Sequence, residues 1–165
     1  MSAGDPISVL HVDDEPSISE LTAEMLERED DRFSVETTTS AADGLERVAT
    51  GDIDCIISDY QMPGMDGIEF LEGVREDYPD LPFILFTGKG SETVASDAIA
   101  AGVTDYLQKQ PGSEQYELLS NRIQNAVEQY RATQRATNLD RIRTLVNTVN
   151  QALVRASSRS EIETR

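Results

Sequence analysis

Residues 53–67 read IDCIISDYQMPGMDG, and no other stretch constrains the fold as much. Ile53, Cys55, Ile56 and Ile57 make a short apolar run that stops at Asp59, and Pro63, Gly64 and Gly67 follow closely. A continuous apolar run bounded by turn residues is the pattern of a strand buried on both faces, as in a parallel sheet. Asp59 then stands at the carboxyl end of that strand, the edge of an open α/β sheet where ligands bind. A carboxylate there is solvated enough to ionise and held firmly enough to react. The plainer alternative is that Asp59 only caps a helix starting near Met65. The rest of the chain decides between them.

Ile7–Val12 is apolar except for Ser8 and His11, and runs into Asp13, Asp14 and Glu15. Pro16 suits a first helical position, and Ile18, Leu21, Met25 and Leu26 recur at helical spacing. Phe33, Val35 and Thr37 alternate as in a strand. Ser40 with Asp43 resembles a capping box; Leu45, Val48 and Ala49 form a helical face, and Gly51 suits its stop. After the central strand, Ile68, Leu71 and Val74 mark a helix that must end before Pro79. Residues 82–86 are apolar and end at Thr87 and Gly88. Ser91 is a good N-cap for a helix carrying Val94, Ala95, Ala98 and Ile99, which Gly102 ends. Val103 to Leu107 is a fifth strand, followed by Gln108 and Lys109, and a long helix begins near Glu114. Strands alternating with helices in this way predict an α/β fold, a doubly wound five-stranded parallel sheet. Right-handed crossovers put every carboxyl end on one edge. Asp13, Asp14, Asp59, Thr87 and Lys109 therefore become neighbours although four different strands carry them.

Three carboxylates at one place repel, and one takes up a proton unless a cation intervenes. Mg²⁺, an oxygen-seeking ion that binds carboxylates, carbonyls, water and phosphate oxygens, resolves the conflict. Three carboxylates, one ammonium and one divalent ion sum to zero formal charge, so the site can receive a phosphoryl group. Asp59 would be the nucleophile, forming an acyl phosphate. Lys109 and the metal would bind the oxygens in transfer. Thr87 would donate its hydroxyl to the product, and Gly88 leaves room beside it.

VDDEP at 12–16, SDYQMPGMDG at 58–67, FTG at 86–88 and YLQK at 106–109 resemble the response-regulator receiver domain, over about residues 6–130. The resemblance implies the flavodoxin-like strand order 2-1-3-4-5. It implies phosphoryl transfer to Asp59 from the phosphohistidine of a histidine kinase or a phosphotransfer protein. It implies Mg²⁺ held by Asp14, Asp59 and the backbone carbonyl of Gln61, with Asp13 acting through water or Lys109. Thr87 and Tyr106 match the switch pair of the family. Two departures stand out. Gln110 separates Lys109 from Pro111, where the family has proline directly after the lysine, often with a cis bond. Lys89, just after Gly88, adds a cation beside the expected phosphoryl position.

The net charge of −17 is unevenly placed. Residues 1–112 hold 25 acidic and 6 basic residues, a net of −19; residues 113–165 hold 6 and 8, a net of +2. The acidic part should repel nucleic acid and anionic membranes. Lys89 and Lys109 are the two lysines, and this acidic, lysine-poor composition resembles that of halophilic proteins. No apolar run is long enough to span a membrane and no signal peptide precedes the first strand, so the expectation is a cytoplasmic protein. Cys55 and His11, each the sole residue of its kind, fall inside strands and are expected to be structural.

Beyond the receiver-like part, Leu119, Ile123, Ala126 and Tyr130 form a face expected to cover the sheet. Leu139, Ile142, Val146, Val149, Leu153 and Ala156 then recur as an a/d heptad seam in a different phase. That seam needs its own partner, either a second copy in a parallel homodimer or a further domain. Ser158 with Glu161 reads as a capping box opening another helix. The expected organisation is a receiver at 1–130, a helical linker at 131–157 and the start of a downstream output domain at 158–165. Rival functions are the N-terminal receiver of a hybrid sensor kinase, a phosphorylation-independent scaffold and an aspartyl phosphatase. A scaffold would lack the acids or the lysine, and a phosphatase needs a second acid close after the nucleophile, where Tyr60 and Gln61 stand. No helix-turn-helix for DNA is visible.

Overall fold

The computed structural model describes residues 4–88 and 90–163. Five strands alternate with five helices: β1 Ile7–Val12, α1 Pro16–Glu29, β2 Phe33–Thr38, α2 Ala41–Ala49, β3 Cys55–Ser58, α3 Gly67–Asp77, β4 Phe83–Thr87, α4 Glu92–Ala100, β5 Asp105–Gln108 and α5 Glu114–Glu163. The strands form one parallel sheet in the order β2-β1-β3-β4-β5. Sequence order and sheet order thus differ as the resemblance implies.

Every residue of β3 and β4 is buried, as the continuous apolar runs require of strands covered on both faces. Alternation along the strands sends side chains into two cores. Val12, Ile56, Phe83 and Leu85 pack with Phe70, Leu71 and Val74 of α3 and with Val94 and Ala98 of α4. Val9, Cys55, Ile57, Ile84 and Phe86 pack with Leu26 of α1 and with Tyr116, Leu119, Ile123 and Val127 of α5.

The inner faces of several helices differ from the expected ones. On α1 the buried residues are Ser19, Thr22 and Leu26, while Leu21 is 49% exposed. Two small side chains let α1 lie close to the sheet, so the bulkier leucine turns outward. On α2 Ala41, Gly44 and Val48 face inward and Ala49 is exposed; a Cβ on Gly44 would meet Phe70 Cζ at 2.8 Å. On α4 Ile99 is 72% exposed. On α5 the buried stripe is Tyr116, Leu119, Ile123 and Val127, with Ala126 and Tyr130 at its margin.

The chain forms two compact units, Met1–Tyr130 and Arg131–Arg165. In the second, Leu139, Ile142, Val146, Val149 and Leu153 are each more than half exposed. The backbone of α5 is helical to Glu163, so no helix begins at Ser158; the side chains of Ser158 and Glu161 lie outside what is described. No helix is long and apolar enough to cross a membrane among the described residues.

Candidate functional site

Register builds the site. Val12 pairs with Ser58 across β1 and β3, so the next residues, Asp13 and Asp59, leave adjacent strand ends together. The Asp59 N–H still donates to the Val12 carbonyl at 3.0 Å, which ties the acidic residue's backbone to the sheet. Thr87 pairs with Gln108 across β4 and β5, and the Lys109 N–H donates to the Thr87 carbonyl at 2.9 Å. Lys109 is thereby delivered beside the two acids.

Asp13, Asp14 and Asp59 each offer a carboxylate oxygen, and these oxygens lie within 4.8 Å of one another. Lys109 Nζ is 3.0 Å from Asp13 Oδ2 and 3.6 Å from Asp59 Oδ2. It also stands 5.7 Å from the centroid of the buried Phe86 ring, which favours a cation over its face. Asp13 is fully buried, and its other oxygen accepts from the Glu15 N–H at 2.9 Å. Asp59 keeps 17% of its side chain exposed, and its Oδ1 accepts from the Tyr60 N–H at 2.7 Å. So Asp13 is committed to internal partners, while the Asp59 side chain is partly open to the cleft. That division suits a supporting acid beside a reacting one.

The acids open into a cleft of about 610 Å³ lined by Asp14, Glu15, Asp59, Gln61, Thr87, Gly88 and Lys109, among others. All the predicted site residues of the strand ends therefore meet in one place. Gly88 lines the cleft, and a Cβ there would find, among the described residues, Lys109 Cδ at 3.9 Å, an ordinary contact. Lys89 lies outside the described residues. No peptide bond is cis among the described residues, and Gln110 makes its own link through its N–H to Gln115 Oε1 at 2.9 Å.

Asp59 caps no helix. The N-cap of α3 is Asp66, in a reciprocal capping box with Glu69, and α3 starts two residues later than Met65. Asp66-x-x-Glu69 ahead of Phe70 and Leu71 is the sequence signal for that cap, and the expectation above overlooks it. Gly67 is a second omission among the site residues. A Cβ there would overlap the Asp59 carbonyl oxygen and reach Leu85 Cδ1 at 2.9 Å. The loop carrying Asp59 folds back against α3 at this glycine, and the Gly67 N–H donates to the Tyr60 carbonyl at 2.8 Å.

Two buried groups stand apart from this chemistry. The His11 ring is fully buried, and neither nitrogen has a hydrogen-bond partner among the described residues. Burial pushes its pKa down to about 4, with Lys109 acting in the same direction and Asp13 against it. Burial raises the Cys55 thiol well above its ordinary range, as expected of an inert core residue.

A five-stranded parallel sheet with three acids and a lysine converging at its carboxyl edge defines a receiver. The chain belongs to the response regulator receiver family, whose domain model matches residues 9–123. It is a phosphoacceptor signalling module. It is 33% identical over 105 residues to the cyclic di-GMP phosphodiesterase response regulator RpfG of Xanthomonas campestris, covering 62% of this chain and 28% of that protein. It is 29% identical over 140 residues to the nitrogen assimilation regulatory protein NtrX of Azorhizobium caulinodans, covering 84% and 30%. A response regulator receiver domain protein from Clostridium thermocellum superposes with a TM-score of 0.69 at 28% identity, over 77% of this chain and 98% of that one. The chain thus spans less than a third of these two curated relatives.

Proposed function

We propose that Asp59 is the phosphoacceptor and that its donor is the phosphohistidine of a histidine kinase or phosphotransfer protein. What supports this above all is the convergence of Asp13, Asp14 and Asp59 within 4.8 Å, with Lys109 Nζ at 3.0 and 3.6 Å from two of them. A carboxylate oxygen of Asp59 attacks phosphorus, the P–N bond to imidazole breaks, and the ring nitrogen keeps the electron pair and takes a proton. Tyr60 N–H holds Oδ1 of Asp59, leaving Oδ2 as the attacking oxygen. Lys109, fixed by Asp13 and Phe86, meets the incoming charge with no rearrangement. Thr87 donates its hydroxyl to a phosphoryl oxygen, and Thr87 with Tyr106 carries the change to the α4–β5 side.

The all-oxygen donor set of Asp13, Asp14 and Asp59 fits Mg²⁺; Asp14, Asp59 and the Gln61 carbonyl would hold it, with Asp13 contributing indirectly. When bound, Mg²⁺ neutralises charge on the transferring oxygens. Incubation with a small phosphodonor and Mg²⁺ should add one phosphoryl group by intact mass to the wild type and none to Asp59→Asn. Equal labelling of both would exclude Asp59. Asp14→Ala should weaken Mg²⁺ binding in a titration.

The phosphorylated state is passed on to an output domain in the same chain, with parallel self-association through Leu139, Ile142, Val146, Val149 and Leu153. Five large apolar side chains, each more than half exposed on one face, motivate this step. Residues at the flanking e and g positions, Asn138, Arg143, Leu145 and Asn150, place no like charges opposite each other in a parallel pair. Sedimentation at micromolar concentration should give a dimer for the wild type and a monomer for Val146→Glu with Val149→Glu. A monomeric wild type assigns the seam to another partner.

A further inference from the structure

Gly90 lies between β4 and α4, one residue before Ser91, whose hydroxyl caps α4 by accepting from the Val94 N–H at 3.1 Å. Tyr106 lies on β5, paired with Leu85 of β4. Its phenolic oxygen is buried and has no hydrogen-bond partner among the described residues. A methyl group built on Gly90 would overlap that oxygen and approach Tyr106 Cζ at 3.2 Å and Cε1 at 3.6 Å. The tyrosine hydroxyl fills the volume that a side chain at 90 would take.

We propose that Gly90 is the positioning residue for Tyr106, and that its missing side chain is what admits the ring to the inward position. Two tendencies meet at that ring. Its apolar area favours burial, whereas a hydroxyl buried without a partner favours the outward position, where water satisfies it. Among the described residues no hydrogen bond anchors the inward ring, so packing against its neighbours is what holds it. A Cβ at 90 removes that packing space, and the cheapest response is rotation of the ring outward, since the colliding atom is the far end of a side chain. The residue at 90 therefore sets the balance between inward and outward tyrosine. Its bearing on signalling rests on the reading of Thr87 and Tyr106 as a switch pair; the steric relation does not.

The test uses ring resonances of ¹³C-labelled tyrosine, with Tyr106 assigned by its loss in Tyr106→Phe. Relaxation by a soluble paramagnetic agent reports exposure. The Tyr106 ring should be protected in the wild type and relaxed several-fold faster in Gly90→Ala. In the double variant Gly90→Ala with Tyr106→Phe, the colliding oxygen is gone, and the labelled phenylalanine ring introduced at position 106 should be protected again. The melting-temperature loss caused by Gly90→Ala should likewise shrink in the Tyr106→Phe background. A Tyr106 ring that stays protected in Gly90→Ala, or an introduced phenylalanine ring that is exposed in the double variant, overturns the proposal. If the ring responds to Gly90→Ala but never to phosphorylation of the wild type, the role of Gly90 stands and the switch reading falls.

Discussion

At the scale of single residues, His11 makes folding depend on pH. Its ring is held near 4 in the folded chain against 6.5 in the open one, so the unfolded state binds the proton more readily. Stability from this source is complete above the unfolded value and is lost as pH falls from 6.5 towards 4. Between about pH 7.5 and about pH 5.5 the loss amounts to about 1.4 kcal/mol. Urea melts of the wild type and His11→Leu at those two values should differ by that amount in their pH dependence. Parallel behaviour of the two proteins would show that the ring is not the source. The acids of the site were legible because each lies within two residues of an apolar run, where chain polarity assigns it to the sheet's carboxyl edge, and Lys109 because YLQK at 106–109 closes the last strand. Gly67 and Gly90 were not. Each leaves room for a group brought from elsewhere in the chain, and no local pattern marks a residue by what another residue needs.

At the scale of elements, the strands agreed with expectation to within two residues at either end, and the faces of α3 and α5 largely did, while those of α1, α2 and α4 did not. A strand buried on both sides is recognised by a run of apolar residues whatever their size. A helix face depends on which residues let it approach the sheet, and on α1 small polar side chains served better than leucine. The closing turn of α3 shows a further device hidden from periodicity. Arg75 donates to the carbonyls of Tyr78 at 2.9 Å, Leu81 at 2.7 Å and Gly102 at 2.9 Å. It joins the end of α3, the entry to β4 and the end of α4, and its partial burial lowers its pKa from the ordinary value. Replacing it leaves three carbonyls without that donor. Arg75→Met should cost about 1–3 kcal/mol in a denaturant melt, with the proposed labelling by a small phosphodonor unchanged at temperatures where the variant is folded. A stability equal to the wild type would assign these links no weight.

At the scale of the whole molecule, charge dominates. A net of −19 on residues 1–112 makes the chain repel itself at low ionic strength. Salt shortens the reach of that repulsion to about 10 Å at 0.1 M, so the melting temperature should rise along a KCl series. A midpoint that stays level would remove self-repulsion as a determinant of stability. Folding also governs how the chain ages. An Asp-Gly step is where polypeptides isomerise, when the glycine nitrogen attacks the preceding carboxyl carbon to close a succinimide ring. Here Asp66 and Gly67 form such a step, but the carboxylate accepts from the Glu69 N–H at 2.8 Å and the Gly67 N–H is turned to the Tyr60 carbonyl. Nucleophile and electrophile are both engaged, and only opening of the loop or the whole domain frees them. Isoaspartate at position 66 would therefore accumulate as a chemical clock of the time each molecule spends unfolded.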